Sequence, residues 1–192
     1  MSFRKVTLAL RKRNDQNLCL FEPYKKMLFK SFLHRAHLRF LRLLVNLTPP
    51  VNYMAFSGAG SADQLCGHIC QSGINRVLIV SDKELSRLGI LEPVLKGLRS
   101  RGVDIEIYDG VLPDPTFEQV EEGAVIMRSH SSEAVLGVGG GSCMDAAKII
   151  AAAATCEDNP RDWIGFSRIK HRVPPIFCIP TTSGTGSETT ID

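Results

Sequence analysis

The stretch AVLGVGGGSCMDAAKIIAA, residues 134–152, joins an apolar run to a small-residue segment through three consecutive glycines. The run from Ala134 to Val138 is short and rich in valine, which is typical of a buried strand, whereas the alanine-rich segment from Asp145 to Ala154 favours a helix. Glycine tolerates positive φ and lets another molecule approach the main chain closely. The stretch therefore predicts a strand, a tight turn and a helix.

The helix that follows the glycines is expected to offer a site for an anion. Ser142 is in a position to supply the N-cap hydroxyl. The first-turn N–H groups have no intrahelical partner and lie at the positive end of the helix dipole, so a phosphate group would fit there. A simpler interpretation is that Gly139, Gly140 and Gly141 only form a sharp turn, because short glycine motifs are weak signals.

A second informative stretch is CIPTTSGTGSETTID, residues 178–192. The apolar run at 176–179 predicts a strand, and Pro180 then leads into a loop dense in Thr, Ser and Gly. Such a loop offers many hydrogen-bond donors on small side chains. Considered alone, it would be interpreted as a solvated surface turn.

The two stretches together resemble a known family. The motifs GGGSCMDAAK and PTTSGTGSE, about forty residues apart, are similar to those of the iron-containing (group III) alcohol dehydrogenases, relatives of glycerol dehydrogenase and dehydroquinate synthase. RVLIVSDKELSRLGIL at 76–91 and YDGVLPDPTFEQVEEG at 108–123 resemble the opening α/β segment of that family in order and spacing. The resemblance covers residues 51–192 and not residues 1–22. Cys143 stands where small residues or proline are common.

The resemblance implies an NAD-dependent, metal-dependent alcohol dehydrogenase, which transfers hydride between an alcohol and the nicotinamide, represented here by its cofactor-binding half. It implies that Asp82 holds the adenosine ribose and that Asp145 lies near the nicotinamide end as the candidate catalytic residue. Asp114 stands where relatives often have asparagine and is a further candidate. The remaining implied cofactor contacts are Gly139, Gly140, Gly141, Ser142, Thr181, Thr182 and Thr185.

Two of these acidic residues also have simpler interpretations. Asp82 could only cap a helix that begins near Lys83. Asp145 lies in the first turn of its helix, where the dipole favours a carboxylate, and Lys148 at the i+3 position could pair with it.

A carboxylate that holds the ribose hydroxyls would repel the 2′-phosphate of NADP, so NAD is the expected cofactor and NADP the less favoured one.

The resemblance also implies a divalent metal, expected to be iron, whose ligands come from a helical C-terminal domain in the family. We expect that domain to be absent and the chain to be truncated before it, so that the isolated chain is inactive. The five histidines, His34, His37, His68, His130 and His171, are scattered and form no metal-binding motif, so we assign no metal ligand.

Charge is unevenly distributed along the chain. Residues 1–45 hold 11 Lys and Arg against 2 acidic residues, a net charge of +9, and the remainder carries −6. Apolar residues at helical spacing predict one basic amphipathic helix at 24–47, which ends before Pro49. We therefore expect a basic arm and helix at 1–48 and a dinucleotide-binding α/β domain at 49–192.

The basic arm has three interpretations. It could dock its apolar stripe on the body or on a partner subunit, lie peripherally on an anionic membrane surface, or act as an Arg-rich transit segment. Its charges are too frequent for a membrane span. Nucleic acid is not an expected partner, because the body is acidic and no binding motif accompanies the basic run.

The periodicity predicts an α/β fold, with a mostly parallel Rossmann-like sheet covered by helices on both faces. FSGAGSADQL at 56–65 contains two spaced glycines, to which we assign a turn role only. After the basic amphipathic helix, the predicted strands are 51–57, 76–81, 104–108, 134–138 and 176–179, and the predicted helices are 61–72, 84–100, 116–130 and 142–154.

The composition is that of a soluble globular chain, with 192 residues, 44% hydrophobic and 22% charged. Six cysteines without a Cys-x-x-Cys pair or a visible secretory signal predict a reduced, cytoplasmic protein. The expected partners are a small alcohol or aldehyde and, in the full-length form, further copies of the chain. The alternative function is a non-catalytic nucleotide-binding or interaction module that pairs with a full-length relative.

Overall fold

The strands and helices named below lie in one compact unit, Tyr53–Asp192, of the computed structural model. The structure describes residues 38–39, 54–156, 160–163, 169 and 171–189. Within them, no helix is both long and apolar enough to cross a bilayer. The strands are β1 (Arg76–Val80), β2 (Asp104–Tyr108), β3 (Ala134–Gly139) and β4 (Ile176–Pro180), and the helices are α1 (Ser61–Gln71), α2 (Lys83–Arg87), α3 (Glu92–Arg99), α4 (Phe117–His130) and α5 (Gly141–Thr155), with a 3-10 turn at Pro160–Trp163.

The four strands form a parallel sheet in the order β2-β1-β3-β4. β1 is central and pairs with β2 on one side, where Ile79 lies opposite Ile107, and with β3 on the other. β3 in turn pairs with β4, where Leu136 lies opposite Phe177. The strand that follows a helix always returns parallel to its neighbour, so the predicted parallel α/β sheet is confirmed.

Alternate residues of the central strands enter two separate cores. Leu78 and Val80 of β1 pack with α4 and α5 on one face of the sheet. Val77 and Ile79 pack with α1 and α3 on the other face. All four side chains are fully buried. The helices therefore cover both faces, as predicted, and the apolar runs of β1 and β3 are explained by burial on both sides.

The helix predicted at 84–100 is two helices, α2 and α3. Gly89 follows α2 with a φ of 72°, and the N–H of Ile90 donates to the carbonyl of Leu85 at 3.2 Å, which is the pattern of a glycine-terminated helix. Pro93 then lies in the first turn of α3, where its missing N–H costs no hydrogen bond. The predicted single helix is therefore interrupted: α2 ends, and α3 begins as a separate helix.

The strand predicted at 51–57 is not present at 54–57, where the described residues have no regular structure, and residues 51–53 lie outside the described part. Gly58 and Gly60 have φ values of 102° and 82° and form the turn before α1, which confirms their turn role. Of the helix predicted at 24–47, only residues 38–39 are described, and they are helical.

Gly137 brings α5 into close contact with β3. A Cβ added at this residue would lie 3.1 Å from the Cβ of Ala147 and 3.2 Å from the Cα of Met144. Both neighbours are buried in the helix, and one of the two contacts is with backbone. Any larger residue at 137 would therefore require the strand and the helix to move apart by a few tenths of an ångström.

We expect Gly137→Ala to lower the free energy of unfolding by about 1–3 kcal/mol, because the added methyl group forces α5 away from β3. Gly67→Ala, in the middle of α1, is the control: its Cβ would meet Arg101 at 3.9 Å, an ordinary contact. That substitution is expected to raise stability by about 0.5–1 kcal/mol through helix propensity. Urea denaturation measures both, and equal stability of Gly137→Ala and the wild type would contradict the packing argument.

Candidate cofactor-binding site

The carboxyl ends of three strands are tied together at Ser81, which follows β1. Its buried hydroxyl donates to the carbonyl of Val138 in β3 at 2.8 Å, and its N–H donates to the carbonyl of Tyr108 in β2 at 2.9 Å. The carbonyl of Ser81 accepts from the N–H of Val111 at 3.3 Å. The loops that leave β1, β2 and β3 therefore start from one edge, which is where parallel sheets bind ligands.

Helix α5 begins directly at the glycine-rich turn. Its N-cap is Gly140, and no side chain caps the first turn, so the prediction that Ser142 is the N-cap is wrong. Ser142 is instead the second residue of the helix, because Gly141 already has helical geometry. By the geometry of an α-helix, the N–H groups of Gly141 and Ser142 have no intrahelical acceptor. This open end is suited to an anion.

The hydroxyl-rich loop lies against the glycine turn. The N–H of Thr181 donates to the carbonyl of Gly139 at 2.9 Å, which continues the pairing of β3 with β4. A Cβ added at Gly140 would lie 3.4 Å from Oγ1 of Thr182. The two stretches that the sequence singled out are therefore neighbours, and the hydroxyls of Thr181 and Thr182 belong to exposed residues beside the open helix end.

Asp145 connects the same two stretches through its side chain. Its Oδ2 accepts from the hydroxyl of Ser187 at 3.1 Å, and its Oδ1 lies 3.3 Å from Nζ of Lys148, so the predicted pairing with Lys148 is confirmed. A Cβ added at Gly141 would lie 3.1 Å from the same Ser187 hydroxyl and 3.4 Å from Thr185. Glycine at 141 thus leaves room for this bond.

Ser187 was not among the residues singled out from the sequence. It is buried, whereas Ser183 in the same loop is exposed, and nothing in the spacing of the hydroxyl residues distinguishes the two. Only the fold brings Ser187 beside Asp145, which lies 42 positions earlier in the chain.

Asp82 has two roles in the structure. It is the N-cap of α2, and its Oδ1 accepts from the N–H of Leu85 at 2.9 Å, which confirms the capping interpretation. Its Oδ2 accepts from the thiol of Cys143 at 3.6 Å. A carboxylate oxygen can accept more than one hydrogen bond, and Asp82 is only partly buried, so acceptor capacity remains for a ligand.

Cys143 fits beside Asp82 because residue 139 has no side chain. Gly139 has a φ of 152°, and a Cβ added there would lie 2.5 Å from Sγ of Cys143. Burial and, after it, the charge of Asp82 raise the pKa of the Cys143 thiol to about 11. The thiol is therefore protonated at neutral pH and acts as a hydrogen-bond donor.

Asp114 is separated from the other candidates. It is exposed in the loop after β2 and has a φ of 56°, a conformation that asparagine and aspartate tolerate better than most residues. No hydrogen bond or ion pair of its side chain with the other candidate residues is found in the described part of the chain. Across the described residues, His, Cys, Asp and Glu side chains also form no group of three or more that could hold a metal ion.

Residues 53–191 match the family model described as iron-containing alcohol dehydrogenase. The chain belongs to the iron-containing alcohol dehydrogenase family. It is 35% identical over 142 residues to the NAD-dependent methanol dehydrogenase of Bacillus methanolicus, a match that covers 74% of this chain and 36% of that protein. It is 33% identical to the choline dehydrogenase of Bacillus subtilis, over 69% of this chain and 34% of that one.

Solved structures of the iron-containing alcohol dehydrogenase family share the fold. A 1,3-propanediol oxidoreductase superposes with a TM-score of 0.67 at 31% identity, over 73% of this chain and 38% of that one. The sulfoacetaldehyde reductase of Bifidobacterium kashiwanohense, solved in complex with NAD⁺, gives 0.63 at 26% identity, over 74% and 39%. The chain thus spans just over a third of the length of the relatives it matches.

The protonated, buried state of Cys143 predicts slow alkylation. At pH 8 we expect iodoacetamide to modify Cys143 roughly a hundredfold more slowly than the exposed Cys70, because only the thiolate reacts and the pKa of Cys143 is about 11. Raising the pH by one unit should increase the rate at Cys143 about tenfold. Peptide mass spectrometry assigns the modified residues, and denatured protein is the control. Equal native rates at the two cysteines would contradict the described environment.

Proposed function

We propose that this chain forms the NAD-binding part of an alcohol dehydrogenase that transfers hydride between an alcohol or aldehyde and the nicotinamide. The observation that carries the proposal is the convergence of Asp82, the glycine-rich turn and the hydroxyl-rich loop at one edge of the sheet. The names of the NAD-dependent methanol dehydrogenase and of the NAD⁺ complex among the relatives support the choice of cofactor.

The open end of α5 is the proposed site for the pyrophosphate. The N–H groups of Gly141 and Ser142 lie at the positive end of the helix dipole, and no side-chain hydrogen bond caps this end. The exposed Thr181, Thr182 and Thr185 would add hydroxyl donors from the opposite side. This arrangement would bind the pyrophosphate through main-chain N–H groups and small side chains, which leaves room for a bulky dinucleotide.

Asp82 is the proposed ligand of the adenosine ribose. It follows β1 and is joined to the first turn of α5 through Cys143, so it lies beside the open helix end. A carboxylate accepts hydrogen bonds from both ribose hydroxyls of NAD and repels the additional phosphate of NADP. The capping bond to Leu85 is compatible with this role, because it occupies one side of a single carboxylate oxygen.

Asp145 is proposed to fix the hydroxyl-rich loop at the nicotinamide end. The hydrogen bond between Asp145 and Ser187 joins the loop to α5. The pairing with Lys148 offsets the negative charge of Asp145, which would otherwise lie unpaired close to the proposed pyrophosphate site. About half of the Asp145 side chain is exposed, whereas Lys148 is largely buried. The carboxylate is therefore accessible to a ligand, and the ammonium group supports it from within the protein.

NAD would supply the hydride acceptor for the reaction. The family name includes iron, which we assign to the proposed whole enzyme. No described residue is proposed as an iron ligand, because the described His, Cys, Asp and Glu side chains form no group of three or more. The described cysteines are all free thiols, and a cytoplasmic location stays a prediction.

The test of the proposal is cofactor discrimination by Asp82. We expect the wild type to prefer NAD over NADP. Asp82→Gly is expected to weaken NAD binding about tenfold to a hundredfold, because charged hydrogen bonds of about 1.5–3 kcal/mol are lost. It should also narrow or reverse the preference for NAD over NADP. Asp82→Asn should also narrow the preference while it keeps the helix cap, since asparagine caps as well as aspartate. Isothermal titration calorimetry with both cofactors measures each affinity.

Glu84→Gln is the matched control, because it removes the same charge from an exposed residue of α2 that pairs with Arg87. It should change neither affinity by more than about twofold, since exposed charges are strongly screened. Asp82→Gly should cost only a few tenths of a kcal/mol of stability, because glycine is an acceptable N-cap. A wild type that binds neither cofactor would refute the proposed function, and an unchanged preference in both Asp82 variants would remove Asp82 from the site.

A further inference from the structure

The hydrogen bond between Cys143 and Asp82 joins residues that are 61 positions apart. Asp82 lies at the end of β1, and Cys143 lies in the first turn of α5. The Asp82 carboxylate is thus held from two directions: Oδ1 by the N–H of Leu85 and Oδ2 by the thiol. The first bond belongs to the helix cap, whereas the second comes from the element that carries the proposed pyrophosphate site.

We propose that Cys143 is a positioning residue whose thiol fixes the Asp82 carboxylate and thereby sets the discrimination between NAD and NADP. This inference rests on the proposed function and assigns to Cys143 a role in specificity. The thiol does not itself contact the cofactor in this proposal. It acts only through the orientation of Asp82.

A single bond at a helix cap leaves a carboxylate free to turn about its last side-chain torsion, whose energy profile is broad. A second bond from a separate element fixes the plane of the group. A fixed carboxylate loses less conformational freedom when it accepts the ribose hydroxyls, which favours NAD. It also cannot turn away from an additional phosphate, so the repulsion against NADP is retained.

The surroundings of Cys143 direct its donor to Asp82. Only 3% of the residue is exposed, so water is a poor competitor for the thiol. A Cβ added at Gly139 would lie 2.5 Å from the sulfur of Cys143 and 3.3 Å from Cδ1 of Leu85. The absence of a side chain at 139 therefore allows the thiol to reach the carboxylate.

The experiment compares cofactor discrimination in three cysteine variants of the full chain. We expect Cys143→Ala to weaken NAD about threefold to tenfold and to narrow the NAD-to-NADP affinity ratio, because the carboxylate loses one of its two bonds. Cys143→Ser retains a donor and should restore most of the ratio. Cys66→Ala is the matched control, since it removes a buried thiol that donates to the carbonyl of Val94 at 3.7 Å, away from the site.

Calorimetric titration of NAD and NADP separates a positioning role from a general packing effect. Loss of packing alone would lower stability in Cys143→Ala and in Cys66→Ala without a change in the affinity ratio. The inference is supported if the NAD-to-NADP affinity ratio falls in Cys143→Ala but not in Cys66→Ala, and recovers in Cys143→Ser. A wild type that prefers NAD while Cys143→Ala keeps the same ratio overturns the inference and leaves the proposed function intact.

Infrared spectroscopy tests the bond without any cofactor. The S–H stretching band of Cys143 is the band that disappears from the spectrum of Cys143→Ala. In Asp82→Asn we expect this band to move to higher frequency, because the charged acceptor is lost and the hydrogen bond weakens. An unshifted band would show that the thiol does not donate to Asp82 and would overturn the inference, even if the wild type binds neither cofactor.

Discussion

The close approach of α5 to β3 is the constraint on which the rest of the site depends. It is made possible by Gly137, where an added Cβ would lie 3.2 Å from the Cα of Met144. The strand and the helix are joined by a short turn of glycines, since β3 ends at Gly139 and α5 begins at Gly141. The open end of α5 is consequently held at the carboxyl edge of the sheet, between the loops that follow β1 and β4.

The contacts of the consecutive glycines bear on their two interpretations, a sharp turn or an anion site. Gly139 makes room for Cys143 and Gly141 for the Ser187 hydroxyl, whereas a Cβ at Gly140 would make only an ordinary contact with Thr182. Gly139 and Gly141 thus pack against the protein, while main-chain N–H groups at the helix end have no intrahelical acceptor. The packing requirement and the proposed anion site involve the same turn, so the glycine pattern by itself does not distinguish them.

Most elements of the fold could be predicted from the sequence, because buried parallel strands and amphipathic helices have distinct periodicities. The break between α2 and α3 was missed, although Gly89 and Pro93 are recognisable stop and start signals, because the apolar spacing continues across them. The cap of α5 was misassigned by two residues, since the first helical residue is Gly141 and glycine is not usually taken to begin a helix.

The side-chain contacts of the site were less predictable, because they join residues that are distant in sequence. Asp82 meets Cys143, and Asp145 meets Ser187, only after the sheet has placed β1 and β4 on opposite sides of β3. A motif indicates which residue types are present at a loop, whereas the partner of each side chain depends on the strand order.

The two contacts also differ in what they do to a carboxylate. Asp145 pairs with the ammonium group of Lys148, which partly offsets the charge of its half-exposed carboxylate. Within the described part of the chain, Asp82 receives hydrogen bonds from a main-chain N–H and a thiol, neither of which carries a charge, so these bonds orient the carboxylate without neutralising it. A carboxylate that must repel a phosphate needs to keep its charge, whereas one that stands beside a bound pyrophosphate is better offset. The partners of the two carboxylates are therefore consistent with the proposed roles, in which Asp82 sets specificity and Asp145 supports the loop.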